Sequence, residues 1–323
     1  MTNTPTRALA AFASGLRYDE LPEPVVQRVK ESILDTLGCG LFGSTLPWTR
    51  ILVDVVAAEG AAPAATIWGT PLRTSPASAS LVNGTSSHGF ELDDVHHRGA
   101  IHPGAVILPA VLALAEARGA TGRDVLVAMV AGVEVGGRVG ASIAKSHFRA
   151  GFHPQGTVGT FAAGAAAGRI TGADVEQMIN TLGTAGSQAA GLMAAQEGSM
   201  VKRLHSGRAA QSGVYSALLA ERGFTGIADV LEAEFGGFLT TMGGGEIAHD
   251  ELTAGLGRDW ETLGIGFKRY AACAASHTSL DIAEALRIEG TLRDEDIASV
   301  CVRVGTHTFV HCGWPYDDPT VTG

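Results

Sequence analysis

The sequence predicts a mainly α protein, with a large all-helical domain over residues 1–265 and the start of a smaller domain mixing helix and strand over residues 266–323. Three observations predict it. Apolar residues recur at helical spacing, opened by capping residues, through the first two-thirds of the chain. The chain holds 43 Gly and abundant Ala but only 6% aromatic residues, a composition for closely packed helices rather than for strands, which favour Val, Ile, Tyr and Phe. Only residues 299–306 show a clear two-residue alternation.

Taken in order, the opening MTNTPTRALAAFASGL has no uninterrupted apolar core long enough for secretion. From Pro24 the apolar residues Val25, Val29, Ile33 and Leu37 share a helical face, with Gly38 as the expected stop. Two later helices are each expected to start on a Thr whose hydroxyl accepts from a first-turn amide, with Asp three residues on: Thr121 with Asp124, and Thr171 with Asp174. Between them, residues 156–168 (GTVGTFAAGAAAG) read as a central core helix; a phosphate-cradling loop would need a preceding strand and a phosphate spacing that are lacking. In SVCVRVGT at 299–306, Val300, Val302 and Val304 face one way and Arg303 the other, as in a strand. A lone strand cannot satisfy its own backbone, so either earlier residues pair with it or the second domain is incomplete.

The formal net charge of -10 argues against nucleic acid as a partner. Apolar runs at 105–117 and 156–168 are each shorter than the roughly 20 residues a bilayer span needs, so a soluble protein without membrane association is expected. Cys39, Cys273, Cys301 and Cys312 lack paired spacings, which points to a reduced, cytoplasmic setting.

Chemistry concentrates in four places. Residues 83–103 pack His88, Glu91, Asp93, Asp94, His96, His97 and His102 between two apolar helices. Three readings stay open there: a metal site, a metal-free acid–base site, or a solvated loop; no HExxH-type spacing favours metal. His153 stands immediately before the small-residue helix, where it can help a helix N-terminus seat a carboxylate. The third and fourth places are basic clusters, Lys202-Arg203-Leu204-His205 and Phe267-Lys268-Arg269-Tyr270. Lysine is scarce, with Lys30, Lys145, Lys202 and Lys268 its only occurrences, so two of the four fall in these clusters. Where Arg is the habitual cation, a Lys offers a compact charge and a tunable pKa. Against a strongly acidic chain the clusters form local anion sites.

These same segments carry a resemblance. NGTSSHGFELDDVHHRGAIHPGAVILPAVLALAE, GFHPQGTVGTFAAGAAAGR, VKRLHSGRAAQSGVYSALLAERGFTG, FKRYAACAASHTSLDIA and HCGWPYDDP resemble, in order, the sequence blocks of the 2-methylcitrate dehydratase and cis-aconitate decarboxylase (MmgE/PrpD) family. The resemblance implies a large helical domain with a smaller α+β lid domain, here incomplete, and assembly as a homodimer. It implies proton abstraction beside a carboxylate on a small di- or tricarboxylate, with no metal and no cofactor. By the same resemblance, His102 and His153 transfer protons, Lys202 and Lys268 hold the developing charge, and Glu91 or Asp94 orients a His. Asp93, Arg203, His205, Cys273, His277 and Tyr316 would hold substrate.

The chain departs from the decarboxylase branch at Glu91, where Asp is usual, at Val95, near an expected Thr, and at Cys273, which replaces a His. The resemblance therefore points first to a dehydratase acting on an acid such as 2-methylcitrate, with a cis-aconitate-type decarboxylase or an iminodisuccinate-type epimerase as alternatives. Outside the family stand a metal-dependent hydrolase using His88, Asp93, Asp94 and His102 as ligands, and a carboxylate-binding protein without catalysis.

Overall fold

Proline opens six helices of the described chain, a position where its missing amide donor costs nothing and its fixed φ suits the first turn. The computed structural model describes residues 4–290 and 293–314. It divides into two units: residues up to 89 together with 93–267, and residues 90–92 together with those from 268 onward.

The first unit runs α1 (Pro5–Gly15), α2 (Glu23–Gly43), α3 (Pro47–Glu59), β1 (Ala65–Thr66), β2 (Arg73–Thr74), α4 (Pro76–Ser87), β3 (Val95–His96), α5 (Pro103–Arg118), α6 (Gly122–Arg149), α7 (Pro154–Thr171), α8 (Val175–Gly186), α9 (Val201–Glu221), α10 (Phe238–Met242) and β4 (Ile265–Gly266). Two short antiparallel ladders interrupt the expected all-helical pattern: Ala65 and Thr66 pair with Thr74 and Arg73, and Val95 and His96 pair with Gly266 and Ile265. Each is two residues long, too short to leave a period-2 signature in the sequence.

The small-residue helix α7 is the centre, buried almost throughout and packed against α5, α6, α8 and α9. Small residues are what allow this. A Cβ on Gly213 of α9 would lie 2.5 Å from the carbonyl carbon of Ala163, so the two backbones touch directly. Helix α6 contains a stretch, Gly122–Ile143, long and apolar enough to cross a membrane; 89% of its most apolar window is buried inside the protein, as befits a core helix. A capping box holds its start, with Thr121 accepting from the Asp124 amide and Asp124 accepting from that of Thr121.

Three expectations need correction. Gly38 does not end α2, which runs on to Gly43 because Cys39, Gly40 and Gly43 continue its buried face. Thr171 does not cap α8. It is the last residue of α7, where its hydroxyl donates to the Gly168 carbonyl, and Asp174 caps α8 in a box with Gln177. Residues 299–306 form no strand, because among the described residues no partner lies alongside; Val300 and Val302 stand exposed, and a helix begins at Thr306.

The second unit holds Phe90–Leu92, a 3-10 turn (Ala274–Ser276), α11 (His277–Ile288) and α12 (Thr306–Cys312). Both helices pack against the turn.

Candidate active site

Two His-Pro pairs build the mouth of this site. Pro103 and Pro154 occupy the first turns of α5 and α7, and a proline drives the residue before it out of helical geometry. His102 (φ -104°, ψ 87°) and His153 (φ -90°, ψ 108°) are thereby fixed at the two N-caps. The first turns of α9 add Lys202 and His205, and His88 caps the C-terminal end of α4. The four imidazoles meet: ring centroids lie 4.9 Å apart for His88–His102, 6.1 Å for His88–His153 and 5.1 Å for His153–His205. Three helix N-termini thus converge with their positive dipole ends, an arrangement suited to an anion with several carboxylates.

Asp93 organises one half of the cluster. Its Oδ2 lies 2.7 Å from His88 Nδ1, both side chains being fully buried, and 3.4 Å from His102 Nδ1. His102 Nδ1 also lies 2.7 Å from the Asp94 carbonyl oxygen. A carbonyl only accepts, so Nδ1 carries the proton and Nε2 the lone pair of the neutral ring. The His102 backbone is clamped by buried Gln155: its amide donates to Oε1 at 2.8 Å, and Gln155 Nε2 donates to the His102 carbonyl and to Ser206 Oγ, both at 3.1 Å.

In the other half, His153 Nδ1 and His205 Nδ1 share a hydrogen bond of 2.8 Å, which requires one ring to donate and the other to accept. Burial, followed by the charges of His88 and Lys202, lowers the His205 pKa to about 4. His153 is held well below its ordinary value by the same three causes, with His205 and His102 adding to them. Both rings are neutral at neutral pH, and the Lys202 ammonium is near enough to act on each. Beside them a cavity of about 520 Å³, lined by Gly156, Ala190, Leu192, Val201, His205 and Arg208, falls in the size range of small-molecule pockets.

Asp94 takes a different part from the one expected. Its carboxyl accepts from Ser32 Oγ at 2.7 Å and from the Gly104 amide at 2.9 Å, capping the start of α5. Burial raises its pKa to about 8, helped by Asp35 and Asp93 and opposed by those two hydrogen bonds. The carboxylate that orients a His is that of Asp93; Asp94 contributes its backbone carbonyl.

Arg203 extends over the Trp48 ring, 5.5 Å from its centroid. In the second unit, Lys268 Nζ donates to the Glu91 carbonyl at 2.9 Å and lies 3.4 Å from its carboxylate, so Glu91 orients a Lys rather than a His. Glu91 holds a left-handed φ of 63°, uncommon for a residue other than Gly. His277 Nε2 donates to the Ala272 carbonyl at 3.3 Å, its ring edge-on to Tyr270. Cys273 lies 3.9 Å from both ring nitrogens of His311; a hydrogen bond with Cys312, then His311, lowers its thiol to about 3 against the effect of burial. Tyr316 lies outside the described residues. His96 binds the Glu261 carbonyl at 2.9 Å and His97 is exposed, so neither joins the cluster.

Gln155 and Ser206 are absent from the expected set, and His88 enters it only through the metal-ligand reading. Each lies inside a segment the sequence marks, at 83–103, 151–157 and 202–208, but nothing in sequence spacing shows which side chains converge. His88, Asp93 and His102 also bring ligand atoms within 4.8 Å of one another, the makings of a metal site. The 2.7 Å His88–Asp93 contact is a hydrogen bond, tighter than the about 3.3 Å separating two ligands on a tetrahedral ion. The arrangement favours acid–base chemistry at these atoms.

The MmgE/PrpD N-terminal domain family matches this chain over residues 7–250. A cis-aconitate decarboxylase-like protein of Aspergillus oryzae is 34% identical over 98% of this chain and 70% of its own length. The cis-aconitate decarboxylase of Aspergillus terreus is 34% identical over 96% of this chain. The human cis-aconitate decarboxylase is 34% identical over 98% of it. The chain spans 66% of the A. terreus protein and 68% of the human one.

Proposed function

This chain belongs to the MmgE/PrpD family, and from that premise we propose that it is a lyase acting on a small tricarboxylate, a decarboxylase of the cis-aconitate type. The observation that carries the reading is the cluster of His88, His102, His153 and His205 gathered with Lys202 at three helix N-termini. Loss of carbon dioxide from an unsaturated tricarboxylate leaves an electron pair that spreads onto a neighbouring carboxylate. A cation must hold that charge and a proton must quench it. Lys202 supplies the cation in a site whose dipoles are already aimed. His102 delivers the proton from Nε2 as the imidazolium that Asp93 stabilises, and returns to the neutral ring whose Nδ1–H tautomer the Asp94 carbonyl fixes. His153 and His205 are neutral, and whichever ring accepts at the shared Nδ1 contact carries its proton on Nε2 and can donate to a substrate carboxylate.

A second reading, the dehydratase, is favoured by the departures at Glu91, Val95 and Cys273. Incubation with cis-aconitate and with methylcitrate-like acids separates the two by product, carbon dioxide against water loss. Turnover of neither acid overturns the lyase reading and leaves carboxylate binding alone. Lys268 keeps a proposed part as a cation, on the sequence resemblance and its ion pair with Glu91. We also propose a cytoplasmic homodimer. None of the four cysteines is in a disulfide, in keeping with a reducing compartment, and the exposed apolar faces of α2 and α3 are suited to a second copy.

A further inference from the structure

We propose that Cys273, His311 and Cys312 form a binding site for a thiophilic divalent ion, zinc above all. Cys273 immediately precedes the Ala274–Ser276 turn, and His311 and Cys312 close α12, which packs against that turn. One ligand atom from each residue lies within 4.8 Å of the other two. Sulfur and nitrogen ligands on a tetrahedral zinc are about 3.5 Å apart, given bonds of about 2.3 and 2.0 Å. The observed 3.9 Å between Cys273 Sγ and each ring nitrogen of His311 is within a small side-chain rotation of that spacing. Two sulfurs and an imidazole select zinc over magnesium or calcium, and three protein ligands leave a fourth position for water or an exogenous group. All three residues are only partly buried, so an ion can reach them.

The site shares no residue with the histidine cluster, so the inference stands apart from the proposed reaction. It gives Cys273 a role that substrate contact does not. By joining residues 38 and 39 positions apart, a bound ion would also tie α12 to the turn, coupling metal affinity to the stability of the second unit.

Cobalt(II) reads the site directly. The whole chain, freed of metal by chelation and kept reduced and anaerobic, is titrated with Co²⁺ alone, then with Zn²⁺ as displacer. One equivalent of Co²⁺ should bind with the near-ultraviolet absorption of thiolate-to-cobalt charge transfer, and Zn²⁺ should abolish it. Cys273→Ser and Cys312→Ser should each weaken binding by more than about 100-fold, the loss that removal of a group merely hydrogen-bonded to a ligand can reach. Cys301→Ser, at an exposed cysteine, should leave the titration unchanged. The charge-transfer band of the unaltered chain needs no variant, so misfolding of a serine variant does not blunt the test. Cobalt bound without that band, or binding that survives Cys273→Ser and disappears in His88→Gln, would move the ion to His88, Asp93 and His102 and overturn the proposal. So would a chain that binds no cobalt while Cys273 and Cys312 both titrate as thiols.

Discussion

His102 is held at Nδ1, at its amide and at its carbonyl, so its reactive nitrogen is placed before any substrate arrives. His102→Gln should therefore lower turnover about 10²–10⁴-fold, the usual worth of a positioned general acid or base, with the circular-dichroism spectrum unchanged. Lys202→Met keeps the side-chain length and removes the charge, and should cost about 10²–10³-fold in rate. Lys30→Met, outside every site described, should change little; equal small losses from both would remove Lys202 from the chemistry. Asp94 gives a prediction in stability. Its pKa rises on folding from 3.8 to about 8, so the folded chain binds that proton more tightly than the unfolded one. The stabilisation is complete below about 4 and is lost as pH climbs towards 8. Asp94→Asn retains an acceptor for the Gly104 amide and cannot titrate. Thermal melts across that range should show the natural chain losing stability relative to the variant as pH rises, and parallel curves would show that Asp94 folds ionised. His205 slopes the other way: with its pKa lowered from 6.5 to about 4, its contribution is present above 6.5 and lost as pH falls between those values.

At the level of the helix, what the sequence reveals depends on whether the signal is local. The Thr121–Asp124 box is legible because both partners lie in one turn, and α7 is legible because its composition admits no other packing. Thr171 misleads because a Thr that can cap the next helix can equally bond back to the carbonyl of Gly168 in its own, and Asp174 is the better cap. Gly38 misleads because a glycine tolerated inside a helix looks the same in sequence as one that ends it; the buried Cys39 and Gly40 decide the matter. Helix contact also sets a prediction. Gly213→Ala would force its Cβ to within 2.5 Å of the Ala163 backbone, where no side chain can move aside. The variant should lose about 1–3 kcal/mol, as overpacked cores do, read as a lower melting temperature. Gly122→Ala, at the exposed start of α6 with nothing within 4 Å, should melt close to the natural chain.

Across the whole molecule, the sequence ordered the helices and marked the segments bearing chemistry, but not the pairings between distant side chains. Gln155 meets His102 across 53 residues and His205 meets His153 across 52, separations that no spacing rule reaches. Low charge content carries a related message about assembly, and here the structure gives it an address. On α2, Leu34, Leu41 and Phe42 are 75%, 54% and 48% exposed at seven- and eight-residue spacing, which places them on one face. Ile51 and Val55, 54% and 52% exposed, lie one turn apart on α3. The two helices meet at a bend of 84°, so together they offer apolar surface on two adjoining arms, which water solvates poorly. If this surface covers its counterpart on a second copy, light scattering after size exclusion should give twice the mass of the chain at micromolar concentration. Phe42→Asp combined with Ile51→Asp would bury two unpaired charges in that contact and should yield a monomer with an unchanged helical spectrum. A natural chain that runs as a monomer would sink the homodimer, whereas a dimer that survives both charges would move its interface to another face.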